Sequence, residues 1–231
     1  MELYRSSRDF CFTPPPPAIV QGAWSKTTNQ EKQVLLVSGN YFSSTAYTAN
    51  TGAFLWTKGG TCKLLGTNLV LTYEFDTQDT ANVGTSETWK VKLKNGTLTT
   101  SANKIKSNWS VMDEITTTPL TAAWLISGRK QNGEISKMDT TRPRKTMKIL
   151  TGSQFQWIAY NVATKEFFGT GGGSYEAKNG TYKEKIEFFS RDNSRVGTEL
   201  QFEFKVENDD WHHSGLSSKG EPIYEIWSKR K

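Results

Sequence analysis

The chain has little of what usually announces chemistry. In 231 residues there are two cysteines and two histidines. Cys11 and Cys62 are too few for a disulfide framework. Cys11 also sits in an irregular opening segment, so two idle or buried thiols are expected rather than a bridge. The histidines, His212 and His213, are adjacent. Neighbours on a strand point to opposite faces, so these two cannot share one metal, and no further ligands at metal spacing accompany them. No metal and no cofactor is expected, and no Ser-His-Asp arrangement stands out. No apolar run approaches the roughly 18 residues of a membrane helix, so no integral membrane segment is expected. Charge of one sign is scarce too. The net charge is +6, but lysines alternate with acids, as in Lys183-Glu184-Lys185. Alternation reads as the wet face of strands rather than a basic footprint, which argues against a nucleic-acid partner.

One glycine run invites a nucleotide: "FFGTGGGSYEAKNG", with Gly169, Gly171, Gly172 and Gly173 inside five residues. A dinucleotide fingerprint needs a third glycine that Ser174 or Glu176 replaces, depending on register, and a helix afterwards. A P-loop needs Gly-Lys-Ser/Thr, which is absent. The run leads instead into a strand-like stretch and a Lys178-Asn179-Gly180 turn.

What the chain does have is a repeat. Shifted by 113 positions, residues 39–95 fall on 152–208 without a gap, and 17 of those 57 positions are identical. Gly59-Gly60 matches Gly172-Gly173, Glu74-Phe75 matches Glu187-Phe188, and Val83-Gly84-Thr85 matches Val196-Gly197-Thr198. With indels, Gly22-Ala23-Trp24 corresponds to Ala122-Ala123-Trp124, and Trp109 to Trp227. Internal repetition of this kind means two copies of one structural unit. The expected organisation is a Pro-rich tail over 1–20, a first unit over 21–113, a polar linker over 114–121 and a second unit over 122–231. The tail carries four prolines, Pro14 to Pro17, which favour an extended polyproline segment. No intact signal peptide is visible in it.

Each unit reads as strands of period two. "TYKEKIEF" sets Tyr182, Glu184, Ile186 and Phe188 on one face, and "LQFEFKVE" sets Leu200, Phe202, Phe204 and Val206 on one face. "QFQWIAY" alternates Phe155, Trp157 and Ala159 against Gln154 and Gln156. Turn signals such as Arg191-Asp192-Asn193-Ser194 separate the runs. About eight strands per unit, joined by hairpins and with no amphipathic helix, predict an all-β chain of two tandem up-and-down antiparallel barrels.

The opening Gly22-Ala23-Trp24 followed by sequential hairpins resembles the lipocalin, or calycin-type, barrels. The second unit, through "MKILTGSQFQWIAYN", the glycine-run segment and "DWHHSGLSSKGEPIYEIW", resembles small lipocalin-like domains of secreted or membrane-associated bacterial proteins. Ala122, in place of the opening glycine, departs from that pattern. The resemblance implies a barrel holding a small apolar molecule, and a periplasmic or extracellular location.

On that basis the candidate ligand-binding residues lie in the second unit. They comprise the inward aromatics Phe155, Trp157, Tyr182, Phe202 and Phe204, and the glycines Gly169 and Gly171, which would let a ligand approach the backbone. Three titratable groups join them: Glu184, whose repeat counterpart is Leu71, then His213, then Glu225, which alternates with Ile223 and Trp227. An inward carboxylate needs a partner or acts as a polar anchor. Arg191 and Arg195 flank a hairpin, reading either as a clamp on an anionic headgroup or as part of a turn in which Asp192 and Asn193 bond their own backbone. Three functions stay open. The preferred one is a carrier of a small hydrophobic ligand. The others are an envelope structural or interaction module without ligand, and a calycin-type isomerase or cyclase using Glu184 and His213 as acid and base.

Overall fold

The computed structural model describes residues 20–113, 117–131, 133–217 and 220–231. Cys11 and the proline run lie outside the described residues. The chain is all-β, and it forms two closed antiparallel barrels in tandem. The first runs β1 (Gly22–Thr28), β2 (Glu31–Ser38), β3 (Tyr41–Thr48), β4 (Phe54–Leu65), β5 (Asn68–Asp76), β6 (Ser86–Lys94), β7 (Thr97–Ala102) and β8 (Ile105–Val111). It closes where β1 meets β8, with Trp24 opposite Val111. The second contains β9 (Ala122–Gln131), β10 (Glu134–Lys137), β11 (Arg144–Leu150), β12 (Gln154–Asn161), β13 (Phe167–Lys178), β14 (Thr181–Phe189), β15 (Glu199–Glu207), β16 (Asp210–Leu216) and β17 (Pro222–Lys229). Here β9 closes the ring against β17, with Glu225 opposite Arg129. Strand β10 is additional: it hairpins onto the far half of β9, beyond the part that pairs with β11. Its sequence signal is Asn132-Gly133, a favoured hairpin dipeptide.

Each barrel has its own core, plugged by the opening tryptophan. Trp24 Nε1 donates to Val20 O at 3.0 Å, and Trp124 Nε1 donates to Leu120 O at 2.8 Å. Cys62 is buried in the first core as a free thiol, and burial pushes its pKa up to about 12.

One expectation about faces needs correction. Period-two reading sets Phe75 with Tyr73, and Phe188 with Ile186, inside the barrels. Both phenylalanines point out. The reason is a β-bulge: opposite Gly172 and Gly173 stand Phe188 and Ile186, so Glu187 is an extra residue, and Glu74 is its equivalent in the first barrel. One inserted residue sends everything after it to the other face. The glycine pair makes room for this. A Cβ on Gly172 would meet Phe155 O at 2.5 Å and the Phe188 ring at 2.7 Å, and Gly173 lies at φ +157 with Lys185 O only 2.1 Å from any Cβ. The run is therefore a structural device that recurs at Gly59-Gly60.

The ejected phenylalanines build a third core between the barrels, together with Tyr47, Tyr160, Met147, Ile149 and Ile158. That is why β3 and β12 are buried on both faces. The contacts obey the repeat. Tyr47 stacks on Phe188 with centroids 5.0 Å apart, and Phe75 meets Tyr160 at 4.9 Å. The Tyr47 hydroxyl donates to Glu187 at 2.7 Å, and the Tyr160 hydroxyl donates to Glu74 at 2.5 Å. Phe54 stacks on Phe167, its own counterpart 113 positions on. Residue i touches j+113 while j touches i+113, the signature of a two-fold, isologous interface, here inside one chain. Gln156, expected on a polar outer face, is buried at this interface, where its amide donates to Thr57 and Thr170 and accepts from Thr45. Asp113 locks the join: its carboxylate accepts from Ala23 N of the first barrel and from Gly152 N, Ser153 N and Ser153 Oγ of the second.

Candidate functional site

Three depressions are large enough to consider. An open polar groove of about 720 Å³ lies on the outer wall around Lys183, Lys185 and Gln201. An apolar cleft of about 480 Å³ lies between the barrels, beside Thr117 and Thr121 at the edge of the described linker. The third, about 410 Å³, is the interior of the second barrel, and it brings together the buried Lys148, Glu184 and His213. The corresponding space in the first barrel is about 260 Å³.

Alternation along β11 explains the chemistry of the larger barrel cavity. Met147 and Ile149 face the other barrel, so Lys148 between them faces inward. On β14 the same logic turns Glu184 inward. Their side chains are each 7% exposed, and Lys148 Nζ stands 2.9 Å from Glu184 Oε1. The Tyr182 hydroxyl donates to the same oxygen at 2.8 Å. The ammonium also sits over the rings of Trp211, Trp227 and Tyr182 at 5.0, 5.2 and 5.3 Å, an aromatic surround that favours a cation. In the first barrel the equivalent positions are Leu35 and Leu71, both fully buried core residues. The pairing confirms the equivalence: Leu35 lies opposite Trp24 as Lys148 lies opposite Trp124. An apolar pair in one barrel is an ion pair in the other.

A second polar pair crosses from β16 to β17. His213 lies opposite Glu225, with Nδ1 3.6 Å from Glu225 Oε2, beyond hydrogen-bond reach. Trp227 Nε1 donates to that carboxylate at 3.1 Å, and Arg129 approaches its other oxygen at 3.4 Å. His213 is 2% exposed and packed against Phe202, with centroids 4.2 Å apart, yet neither ring nitrogen has a hydrogen-bond partner among the described residues. Burial lowers its pKa, and the Lys148 charge lowers it further, so the ring is neutral near pH 7. Burial pushes the Glu225 carboxyl up, but His213, Lys148 and Arg129 outweigh it and hold the carboxyl below the usual range. In the first barrel Thr100 and Ser107 occupy the two positions. His212 points the other way, where Nδ1 and the Tyr224 hydroxyl are 2.9 Å apart.

The sequence-derived candidates divide into two sets. Trp157, Glu184, Phe202, His213 and Glu225 line the cavity. Phe155 and Tyr182 are buried in the barrel core beneath it, and Phe204 is partly buried against that core. The backbone of Gly169 is covered by the Arg191 guanidinium, and that of Gly171 by the Trp157 and Phe189 rings. Those two glycines thus accommodate side chains. Arg191 Nε donates to Phe168 O at 2.9 Å, and Asp192 accepts from Ser194 N at 3.0 Å to shape the turn. Lys148, Arg129 and Arg144 also line the cavity and were not among the candidates. The 113-residue shift, continued upstream, aligns Lys148 with Leu35 and Arg144 with Glu31, which is the signal that could have found both.

Among the described residues no three metal-ligating side chains cluster, and no helix is long and apolar enough to cross a membrane. The chain matches no family model and no curated protein.

Proposed function

We propose that the chain is a binding protein whose second barrel carries a small, largely apolar molecule, as its lipocalin-like character suggests. The observation that carries this reading is the buried, unpartnered imidazole of His213 on the wall of a 410 Å³ cavity. Buried polar groups are normally satisfied, and the volume is in the range of small-molecule sites, roughly 300–1,000 Å³. The first barrel, filled by Leu35 and Leu71, serves as a scaffold across the isologous interface. On the same resemblance we assign the protein a periplasmic or extracellular role. An acid–base role for Glu184 and His213 has less support, because Glu184 Oε1 is committed to Lys148 and Tyr182.

Trp157 lines the cavity and reports on it. Titration with octanol should change tryptophan fluorescence saturably. Ala159→Phe, which places a ring in the cavity, should weaken binding at least about tenfold, on the order of 1.4 kcal/mol. Failure of the unaltered chain to bind octanol or any other eight-carbon amphiphile, or equal binding by the variant, refutes the reading.

A further inference from the structure

The charge on the cavity wall is unbalanced. Five cationic side chains line it, Arg129, Arg144, Lys148, Arg191 and Arg195, against two carboxylates, Glu184 and Glu225. Three of the cations have acidic partners: Lys148 has Glu184, Arg129 has Glu225, and Arg195 has Asp192 at 3.4 Å. Arg144 and Arg191 have none among the described residues. Both gather on Phe168 instead. The Arg144 guanidinium lies 4.3 Å from the centre of its ring, and Arg191 donates to its carbonyl through Nε and Nη2. One guanidinium thus lies on the ring of Phe168 and the other on its carbonyl, and an anion held by both would offset their like charge. Both are exposed, whereas Lys148, Glu184 and His213 of the same cavity are buried.

The duplication shows that this is particular to the second barrel. Positions 113 earlier than Arg144, Arg191 and Arg195 hold Glu31, Gln78 and Asn82, and the position equivalent to Phe168 holds Leu55. Those elements superpose by register, since Arg144 pairs with Asn161 as Glu31 pairs with Thr48. The arginine rim therefore accompanies the larger cavity and the buried histidine, whereas the first-barrel cavity carries Lys26 and Lys58 with Glu87.

Resting on the carrier reading, we infer that the ligand is an amphiphile with an oxyanion head, a carboxylate or a phosphate ester. Arg144 and Arg191 receive the head, and the apolar body lies against Trp157, Ile186 and Phe189. The planar guanidinium fork suits a two-oxygen head, and a second guanidinium suits a head of higher charge. His213 lies deeper, where it offers a neutral ring nitrogen to any polar atom on the body.

Four probes of one chain length separate the possibilities: octanoate, octyl phosphate, octanol and octylamine, titrated into the full chain at low salt and followed by tryptophan fluorescence. At least one anion should bind ten times more tightly than octanol, with octylamine weakest, and about 0.5 M salt should shrink that preference because exposed charges are screened. A preference for octyl phosphate alone points to a phosphate head, and equal binding of both anions points to simple charge. The double variant Arg144→Gln, Arg191→Gln should lose the preference while its octanol affinity stays within threefold. Arg191 also covers Gly169, so Arg144→Gln alone, with at least a threefold loss of preference, provides the test if the double variant does not fold. Octanol binding as tightly as both anions, or a preference that survives the variants, overturns the inference and leaves the carrier reading standing. Binding of none of the four overturns both.

Discussion

The buried pair Lys148–Glu184 gives a prediction with an internal control, because the first barrel already carries its apolar replacement. Both side chains are 7% exposed and 2.9 Å apart. Removing one partner of such a pair leaves an uncompensated buried charge and costs about 3–5 kcal/mol, whereas replacing both with apolar groups of similar volume is often neutral or stabilising by about 1–4 kcal/mol. Lys148→Leu should therefore be strongly destabilising. For a chain of this size such a loss lowers the melting midpoint by roughly 6–20 °C, at about 2–4 °C per kcal/mol. Glu184→Leu should fall at the milder end, because three aromatic rings within 5.0–5.3 Å still favour the ammonium. The double variant rebuilds Leu35–Leu71 and should recover most of the loss. One residual cost is foreseeable: the Tyr182 hydroxyl loses its acceptor, worth about 1–3 kcal/mol. Adding Tyr182→Phe should remove that cost. The assay is a double-mutant cycle by urea unfolding, with circular dichroism and tryptophan fluorescence compared to test two-state behaviour. A double variant whose loss equals the sum of the two single losses would show that the two side chains do not act as an energetic unit.

Two further outcomes rest on named contacts. Because burial lowers the His213 pKa, the unfolded state takes up a proton near 6.5 that the folded state refuses, so stability should fall as pH drops below about 6.5. Glu225, whose pKa is also lowered, adds its own loss only below about 4.5, so His213→Gln should flatten the upper part of the acid limb and leave the lower part. An unchanged limb between pH 6.5 and 5 would exclude His213 as its source. Separately, Gly172→Ala forces a Cβ to within 2.5 Å of a backbone carbonyl and should cost about 3 kcal/mol or more in urea unfolding. Gly59→Ala, at 2.4 Å from Phe42 O, should cost as much, and wild-type stability in either variant would contradict the bulge geometry.

Sequence and structure agree where local rules are enough. Two barrels follow from the repeat and from period-two runs. Alternation turns Glu184 on β14 and Glu225 on β17 inward and allows only one of the adjacent histidines on β16 to join them, which is His213. Alternation fails at Glu74 and Glu187, because a bulge is decided by a glycine on the neighbouring strand rather than by the strand's own pattern. That one displaced residue hides the whole inter-barrel core, since Phe75 and Phe188 look like interior residues until the face flips. Gln156 is hidden for a related reason: a polar residue at an outward position reads as solvent-facing unless a second barrel is known to cover it. Lys148 lies within "MKIL", where its two apolar neighbours read as the buried face. They are buried, but against the other barrel.

The two faces of β11 state the logic of the duplication. Outward, Met147 and Ile149 join a symmetric interface in which each tyrosine–phenylalanine contact has a partner 113 positions away. Inward, symmetry is broken: Leu35, Leu71 and Thr100 give way to Lys148, Glu184 and His213. Buried charge and an unpartnered imidazole weaken a barrel standing alone. Here the weakened barrel shares a core with one filled by leucines, and Asp113 ties the two backbones together. Local opening of the second barrel must then disturb the shared core as well, which raises its cost. A polar, ligand-sized interior can thus be kept in one copy because the other copy is kept full.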